Sequence, residues 1–182
     1  MLSDNVNRHL LKYWERCRAL FAGGDYPLAA FCAVTLIEEL GKVPMLSLRA
    51  PEEKLRDLGF FDHHEKYVSA VWATLYVNSR VSRIYGEREA KFARWFREGN
   101  LFKIRNSALY MSQEGESIVT PETAVSQEDC FLLICIAGEA LAEIQGNMTG
   151  TGPTEWERLL EEVDEFRQRF DIQSPNKAKE DE

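Results

Sequence analysis

The sequence predicts an all-α protein, a single helical bundle with one additional helix near its carboxyl end. Apolar residues recur three and four positions apart along most of the chain, as in Leu10, Trp14, Cys17 and Phe21. Glycine and proline separate successive apolar segments, and no segment shows the two-residue alternation typical of a strand. With 182 residues, 45% of them hydrophobic, the chain is long enough to bury the core of one domain.

The first two helices are predicted on either side of a glycine pair. The apolar pattern through Phe21 gives an amphipathic helix, and Asp25 is placed to cap the next one. This second helix, at about residues 26–43, is apolar on every side, which is typical of a helix surrounded by others. Pro44 lacks a backbone donor and is expected to end or kink it.

The remainder of the chain continues the helical pattern. We predict helices at about 63–85, 87–98 and 101–110, a loop at 113–123, a strongly apolar helix after Ser126, and a last helix from Thr154. These segments divide the chain into a helical domain (1–148), a C-terminal helix packing on it (154–170) and a flexible acidic tail (171–182).

Composition and cysteine usage indicate a cytoplasmic protein. We expect no targeting signal, and no apolar stretch approaches the roughly 20 residues that span a bilayer. The four cysteines lie among apolar residues without a C-x-x-C pair, which favours reduced thiols. The net charge of -8 argues against a general nucleic-acid coat, although it leaves room for a local basic site.

The first candidate site interrupts the apolar second helix. Glu38, Glu39 and Lys42 are spaced three and four apart, so we expect them to share one side of that helix. On an exposed helix such a group is an ordinary ion pair. Within an apolar helix the charges need partners, and a structural network and a functional site are equally consistent with the pattern.

The second candidate is the segment Asp62-His63-His64-Glu65-Lys66 at a predicted helix start. Histidine titrates near neutral pH, so His63 or His64 is a candidate for acid–base catalysis. Adjacent histidines point in different directions on a helix, and one of them is expected to face a site. No second metal-ligand motif has recognisable spacing, so we expect no metal and no cofactor. The alternative is a solvated helix start with acidic residues near its positive end.

Two basic segments complete the set of candidates. Arg105 with Asn106 is suited to hold a phosphate and a ribose oxygen, and Tyr110 follows. Upstream, basic residues alternate with aromatic ones, as in surfaces that bind unpaired bases. The candidate RNA-binding residues are Arg80, Arg83, Lys91, Arg94 and Lys103. The commoner alternative is a helix with a charged outer face and an aromatic core face.

Together these pieces resemble the AbiV family of the HEPN superfamily. The resemblance rests on Glu38-Glu39-Leu40-Gly41-Lys42, Phe61 with His63-His64-Glu65-Lys66, and Arg105-Asn106 with Leu109-Tyr110, and it covers roughly residues 5 to 145. It implies a HEPN-like up-and-down bundle, commonly dimeric, that stops growth or translation in phage-infected bacteria. Many HEPN proteins are metal-independent ribonucleases in which an arginine and a polar residue precede a histidine. Here Tyr110 stands where that histidine is expected.

The resemblance leads to a composite-site hypothesis. Arg105 would bind phosphate, His63 or His64 would act as acid and base, and Asn106 and Tyr110 would position the substrate. The supporting polar network would consist of Glu38, Glu39, Lys42 and Lys66. Two alternatives remain: a non-catalytic regulator that binds a phage or partner protein, and a nucleotide-binding module without turnover.

Overall fold

The computed structural model of the chain is built almost entirely from helices. It describes residues 4–47, 54, 61–71, 79–86, 88–148 and 152–170. The helices are α1 (Asp4–Ala22), α2 (Tyr26–Ser47), α3 (His63–Val71), α4 (Ser79–Tyr85), α5 (Arg88–Arg97), α6 (Asn100–Ser107), α7 (Pro121–Ala124), α8 (Gln127–Met148) and α9 (Gly152–Phe170). The two strands are β1 (Ser112–Glu114) and β2 (Ser117–Val119). The predicted all-α fold is confirmed.

Helices α2 and α8 form the centre of the bundle. They pack against each other, α1 contacts both, α3 and α6 lie on α2, and α9 lies on α8. Apolar side chains surround both central helices, and Leu36, Ile37, Leu132 and Ile136 are completely buried. An apolar helix needs neighbours on every side to remove that surface from water, and this arrangement supplies them.

The ends of α2 show one prediction confirmed and one partly wrong. The Asp25 carboxylate accepts the backbone N–H of Leu28 at 3.1 Å, as expected of a cap. The helix does not end at Pro44 but continues to Ser47. Proline removes only the hydrogen bond that its missing N–H would donate to the carbonyl of Leu40, and this close to the helix end the loss is tolerated.

The segment predicted as a plain loop contains a small hairpin. Strands β1 and β2 pair antiparallel with Gln113 opposite Ile118, and Gly115 turns the chain with a φ of 62°. Strands of three residues are too short to give a recognisable alternation, so the sequence pattern did not show them. The short helix α7 follows, opened by Pro121 at its first turn.

Two glycines allow helices to approach closely. A Cβ on Gly41 of α2 would lie 1.9 Å from the carbonyl oxygen of Lys66, so α3 rests directly on the α2 backbone. A Cβ on Gly138 of α8 would lie 2.5 Å from Val163 and 2.7 Å from the Trp14 ring. The first contact brings α3 beside the polar residues of α2, and the second seats α9 and α1 on α8.

Helix α9 is fixed by polar as well as apolar contacts. The indole N–H of Trp14 donates to Glu162 at 2.7 Å, and Arg18 pairs with the same carboxylate at 2.8 Å. The helix begins at Gly152, slightly before the predicted Thr154. The predicted division at 148 stays a prediction, and the predicted tail at 171–182 lies outside the described residues. None of the described helices is both long and apolar enough to cross a membrane.

Candidate functional site

A buried carboxylate lies where α2, α3 and α6 meet. Glu38 is 5% exposed, and its Oε1 accepts a hydrogen bond of 2.5 Å from the hydroxyl of Tyr67. Nδ1 of His63 is 3.1 Å from the same oxygen, and Nζ of Lys66 is 3.6 Å from Oε2. A buried charge is tolerated when several groups donate to it, and Glu38 meets that condition.

Arg105 completes this group from α6. Its Nε lies 3.5 Å from Oε1 of Glu38, and its guanidinium carbon lies 5.3 Å from the centroid of the Phe31 ring. The Nε–Oε1 distance is that of an ion pair and is too long for a well-formed hydrogen bond. We call the five residues Glu38, His63, Lys66, Tyr67 and Arg105 the Glu38 cluster.

Helical spacing explains why α3 supplies three members of the Glu38 cluster. His63, Lys66 and Tyr67 are three and four positions apart, so they share the face of α3 that lies against α2. Asp62 caps this helix, and its Oδ1 accepts the backbone N–H of His64 at 2.7 Å. Glu38 and Gly41 are likewise three apart, so the carboxylate and the close contact with α3 occupy the same face of α2.

The Glu38 cluster carries more positive than negative charge. Lys66 and Arg105 are cations, His63 becomes one when protonated, and Glu38 supplies the only carboxylate among these five residues. Burial and the neighbouring carboxylate raise the pKa of Tyr67, so its hydroxyl remains a donor. Because a cation excess in a partly buried site attracts anions, the cluster is suited to bind a phosphate.

The cluster is also open to solvent on one side. The side chains of His63 and Arg105 are 39% and 27% exposed, whereas that of Lys66 is 7% exposed. The ring of His63 lies 4.9 Å from that of Phe102, which is itself 40% exposed. A ligand can therefore reach His63 and Arg105 directly.

The two histidines have different surroundings. His63 belongs to the Glu38 cluster, whereas His64 is exposed on the neighbouring side of α3. Consecutive residues on a helix are separated by roughly 100° of rotation, so the face that holds His63 cannot hold His64. Of the two histidines, His63 is therefore the one that lies beside Glu38.

Glu39 points away from Glu38 for the same reason, because the two are consecutive on α2. Nζ of Lys42 is 2.5 Å from Oε1 of Glu39, and Nε2 of His9 on α1 is 3.9 Å from Oε2. The two glutamates therefore have different partners, and Lys42 pairs with Glu39. Glu38 faces α3, whereas Glu39 faces α1.

The residues after Arg105 close α6. The backbone oxygen of Asn106 accepts the N–H groups of Leu109 at 3.1 Å and Tyr110 at 2.9 Å. Tyr110 is 66% exposed, and its hydroxyl has no hydrogen-bond partner within the described part of the chain. Tyr110 thus lies past the end of the helix, outside the contacts of the Glu38 cluster.

The predicted RNA-binding residues separate into two groups. Arg83, Arg94 and Lys103 are exposed. Arg80 instead contacts acidic residues of the bundle. Its Nε lies 3.1 and 3.2 Å from the two carboxylate oxygens of Glu139, and a terminal nitrogen lies 2.6 Å from Asp164. Lys91 is partly buried, and its Nζ lies 2.5 Å from the carboxylate of Asp129 on α8.

Glu139 is the second buried carboxylate of the bundle. It is completely buried, and it accepts a hydrogen bond of 3.2 Å from the hydroxyl of Tyr85 as well as those from Arg80. Burial raises the pKa of Glu139, although Arg80 acts in the opposite direction. We call Arg80, Tyr85, Glu139 and Asp164 the Glu139 cluster.

Two contributors to the site were missed from the sequence. Tyr67 follows His63 by four positions, so helical spacing alone would have placed it on the same face. Phe102 precedes Arg105 by three positions, and the same argument applies. Phe102 belongs to the basic and aromatic segment, but that pattern does not place it beside His63. Tyr67 was not singled out, because aromatic residues at helical spacing are usually core.

Metal and thiol chemistry find no support among the described residues. In those ranges no group of three or more His, Cys, Asp or Glu side chains is arranged to hold a metal ion. The four cysteines are buried, and burial raises the pKa of the thiols of Cys17, Cys32 and Cys130. A thiol kept protonated is a poor nucleophile.

Comparison with known proteins identifies the family. The family model for AbiV, of the HEPN type, matches residues 3–142. The match includes both buried carboxylates and stops before α9. No curated protein and no solved structure matches the chain. Because the matched segment covers most of the 182 residues, the chain belongs to the AbiV family.

Proposed function

We propose that this protein is a cytoplasmic anti-phage abortive-infection effector that cleaves RNA at the Glu38 cluster. Membership of the AbiV family supports the role in defence. The observation that carries the enzymatic part is the pairing of His63 with the buried carboxylate of Glu38 at 3.1 Å, beside the partly exposed Arg105. A base oriented by a carboxylate, next to a cation that binds phosphate, is what metal-independent RNA cleavage requires.

The division of roles follows from the atoms that face each other. In the proposed tautomer Nδ1 of His63 carries the proton and faces Oε1 of Glu38 at 3.1 Å, so that Nε2 is the nitrogen that acts as the base. In the proposed reaction Nε2 takes the proton of a ribose 2′-hydroxyl, and the 2′-oxygen attacks the adjacent phosphorus. The bond to the 5′-oxygen breaks, and that oxygen is protonated by the imidazolium, which restores the histidine.

Arg105 and Lys66 supply the electrostatic part of the proposal. Negative charge grows on the phosphate oxygens during attack, and a guanidinium placed beforehand stabilises it without reorganisation. Arg105 uses Nε toward Glu38, so its two terminal nitrogens are the ones available to hold the phosphate. Lys66 lies 3.5 Å from Nδ1 of His63 and adds to the positive field.

The exposed cations on α4, α5 and α6 would hold the RNA beyond the cleaved bond. Arg83, Arg94 and Lys103 are exposed, and α6 carries Arg105 as well. A local basic surface of this kind would bind RNA in spite of the overall charge of -8. Asn106 and Tyr110, at the end of α6, would contact the substrate outside the cluster.

Induced expression in a bacterial host tests the proposal. Wild type and Arg105→Ala are compared for growth and for integrity of total RNA, with and without phage infection, and circular dichroism establishes that the variant is folded. Growth arrest with RNA fragments that disappear in Arg105→Ala is the expected result. Arrest with intact RNA would contradict cleavage and favour a block of translation through binding.

An exposed apolar surface favours a second candidate function, that of a module that binds another protein. Leu109, Tyr110, Met111 and Ile118, at the end of α6 and on the hairpin, are exposed to solvent. Exposed apolar residues grouped in this way commonly mark a protein interface. The occupant would be a phage protein acting as trigger or a second copy in a homodimer. Met111→Ser with Ile118→Ser would then abolish association and leave purified RNA cleavage unaffected.

A further inference from the structure

A phenylalanine next to the Glu38 cluster is partly exposed to solvent. Phe102 is 40% exposed on α6, although the same helix buries Leu101 completely. Its ring is tilted by 38° against that of His63, with centroids 4.9 Å apart. An aromatic side chain left in contact with solvent has an apolar face that can accept another flat group.

The position of Phe102 on α6 relates it to the proposed phosphate site. Arg105 follows it by three residues, which is roughly 4.5 Å along the helix axis and on the same face. The neighbouring Lys103 is exposed and adds a cation at the rim. Aromatic rings beside arginine and lysine are the usual means by which proteins hold an unpaired base next to a bound phosphate.

We propose that Phe102 forms a base-stacking subsite, which selects RNA with an unpaired base next to the phosphate held by Arg105. This inference rests on the proposed function and names the substrate class of that site, single-stranded RNA. A base within a duplex is already stacked on both faces, so it cannot present a face to Phe102 without being unpaired. The subsite therefore disfavours continuous double helices and tolerates any base sequence.

Binding of an uncleavable RNA tests the subsite separately from cleavage. The probe is a labelled single-stranded oligonucleotide with 2′-O-methyl groups, which cannot undergo attack by the 2′-oxygen. A second probe of the same length lacks all its bases. Both are titrated against wild type, Phe102→Leu and Phe102→Trp by fluorescence anisotropy. Leucine keeps most of the apolar volume and removes the aromatic face, whereas tryptophan keeps that face.

The expected result is a loss of binding that depends on both the ring and the base. Phe102→Leu should weaken binding of the normal probe by about 5- to 30-fold, in the range of stacking on one base. Phe102→Trp should retain affinity, and the baseless probe should bind wild type and Phe102→Leu equally. Tyr13→Leu, which removes a partly buried ring from α1, is the matched control and should leave both affinities unchanged.

Each other outcome has a distinct meaning. Equal binding of the normal probe by wild type and Phe102→Leu would overturn the subsite and leave the proposed ribonuclease intact. An equal loss for both probes would also overturn it, since the ring would then act through packing. Absence of binding of either probe to folded wild type would overturn the proposed RNA function itself.

Discussion

Among the residues that the structure describes, two buried glutamates are bound by similar groups but lie in different surroundings. Glu38 and Glu139 each accept a hydrogen bond from a buried tyrosine and each lie against an arginine. Around Glu38 the cations exceed the carboxylates, and two of its partners are partly exposed. Around Glu139 the single arginine, Arg80, also pairs with a second carboxylate, that of Asp164. The Glu139 cluster therefore has no excess of positive charge.

This difference indicates a structural role for the Glu139 cluster and a binding role for the Glu38 cluster. The Glu139 cluster joins α4, α8 and α9, and its arginine is fully engaged, so its role is to hold helices together. The Glu38 cluster retains guanidinium and imidazole groups at the surface, and we propose that these groups contact the substrate. Burial of a carboxylate is therefore insufficient to locate a functional site, and the balance and exposure of its partners decide.

The largest expected effect is on stability, at the Glu139 cluster. Arg80→Met should lower the free energy of unfolding by about 3–5 kcal/mol, because Glu139 would remain buried without its cation. Chemical denaturation followed by circular dichroism measures this. Arg83→Met, an exposed position on the same helix, should change stability by less than about 0.5 kcal/mol. Equal losses of unfolding free energy in the two variants would contradict a structural role for the Glu139 cluster.

The next effect is on activity, at the Glu38 cluster. Arg105→Ala should reduce RNA cleavage by the purified protein by about 100- to 1,000-fold, as expected for loss of a group that stabilises the transition state. The unfolding free energy should change by about 1 kcal/mol or less, since Lys66, Tyr67 and His63 still surround Glu38. A large loss of stability with normal cleavage per folded molecule would reverse the assignment of the two clusters.

A smaller effect on both properties is expected from Gly41→Ala. The added methyl group would lie 1.9 Å from the Lys66 carbonyl oxygen, so α3 must move away from α2. Overpacking of this kind lowers the free energy of unfolding by about 1–3 kcal/mol. Because His63 would be displaced, the rate of RNA cleavage should fall as well, and by a larger factor than this loss of stability explains. Gly23→Ala is the control, because its methyl group would meet neighbours at 3.5 Å. Undiminished cleavage by folded Gly41→Ala would show that the α2–α3 contact does not position the site.

The smallest effect concerns pH. The pKa of Glu139 is raised from its ordinary value of 4.5, so between these two values the folded state binds more protons than the unfolded state. The contribution of Glu139 to stability is thus greatest below pH 4.5 and is lost as pH rises through the raised pKa. The slope is at most about 1.4 kcal/mol per pH unit.

Comparison with Glu139→Gln isolates this contribution from other titrating groups. Glutamine still accepts from Tyr85 and Arg80 but carries no proton equilibrium. The unfolding free energy of the variant should fall less steeply with rising pH than that of wild type. Identical slopes would mean that Glu139 titrates as it does in the unfolded chain.

How much could be predicted from the sequence differs between fold and site. The helices could be predicted because apolar residues recur at helical spacing. The central position of α2 and α8 could be predicted because both are apolar on every side. Spacing along one helix also predicted that only one of the two adjacent histidines faces a site. The pairing of Glu38 with α3 and α6 could not be derived, since it depends on the approach that Gly41 permits between helices.

The contacts of Arg80 could not be predicted from the sequence either. In the sequence it belongs to a basic and aromatic segment, indistinguishable from Arg83 three residues later. Its engagement arises from Glu139 and Asp164, which are 59 and 84 residues further along the chain. Contacts of such separation are created by helix packing, and no local pattern records them.

Adjacent histidines allow the most direct test of the claim that the Glu38 cluster is a ribonuclease site. His63→Gln and His64→Gln change the same chemical group on consecutive residues of α3, one inside the cluster and one on the exposed face. Cleavage of single-stranded RNA by purified, folded protein is measured for both. We expect near-complete loss of cleavage in His63→Gln and wild-type cleavage in His64→Gln. Equal activity of the two variants would contradict that claim.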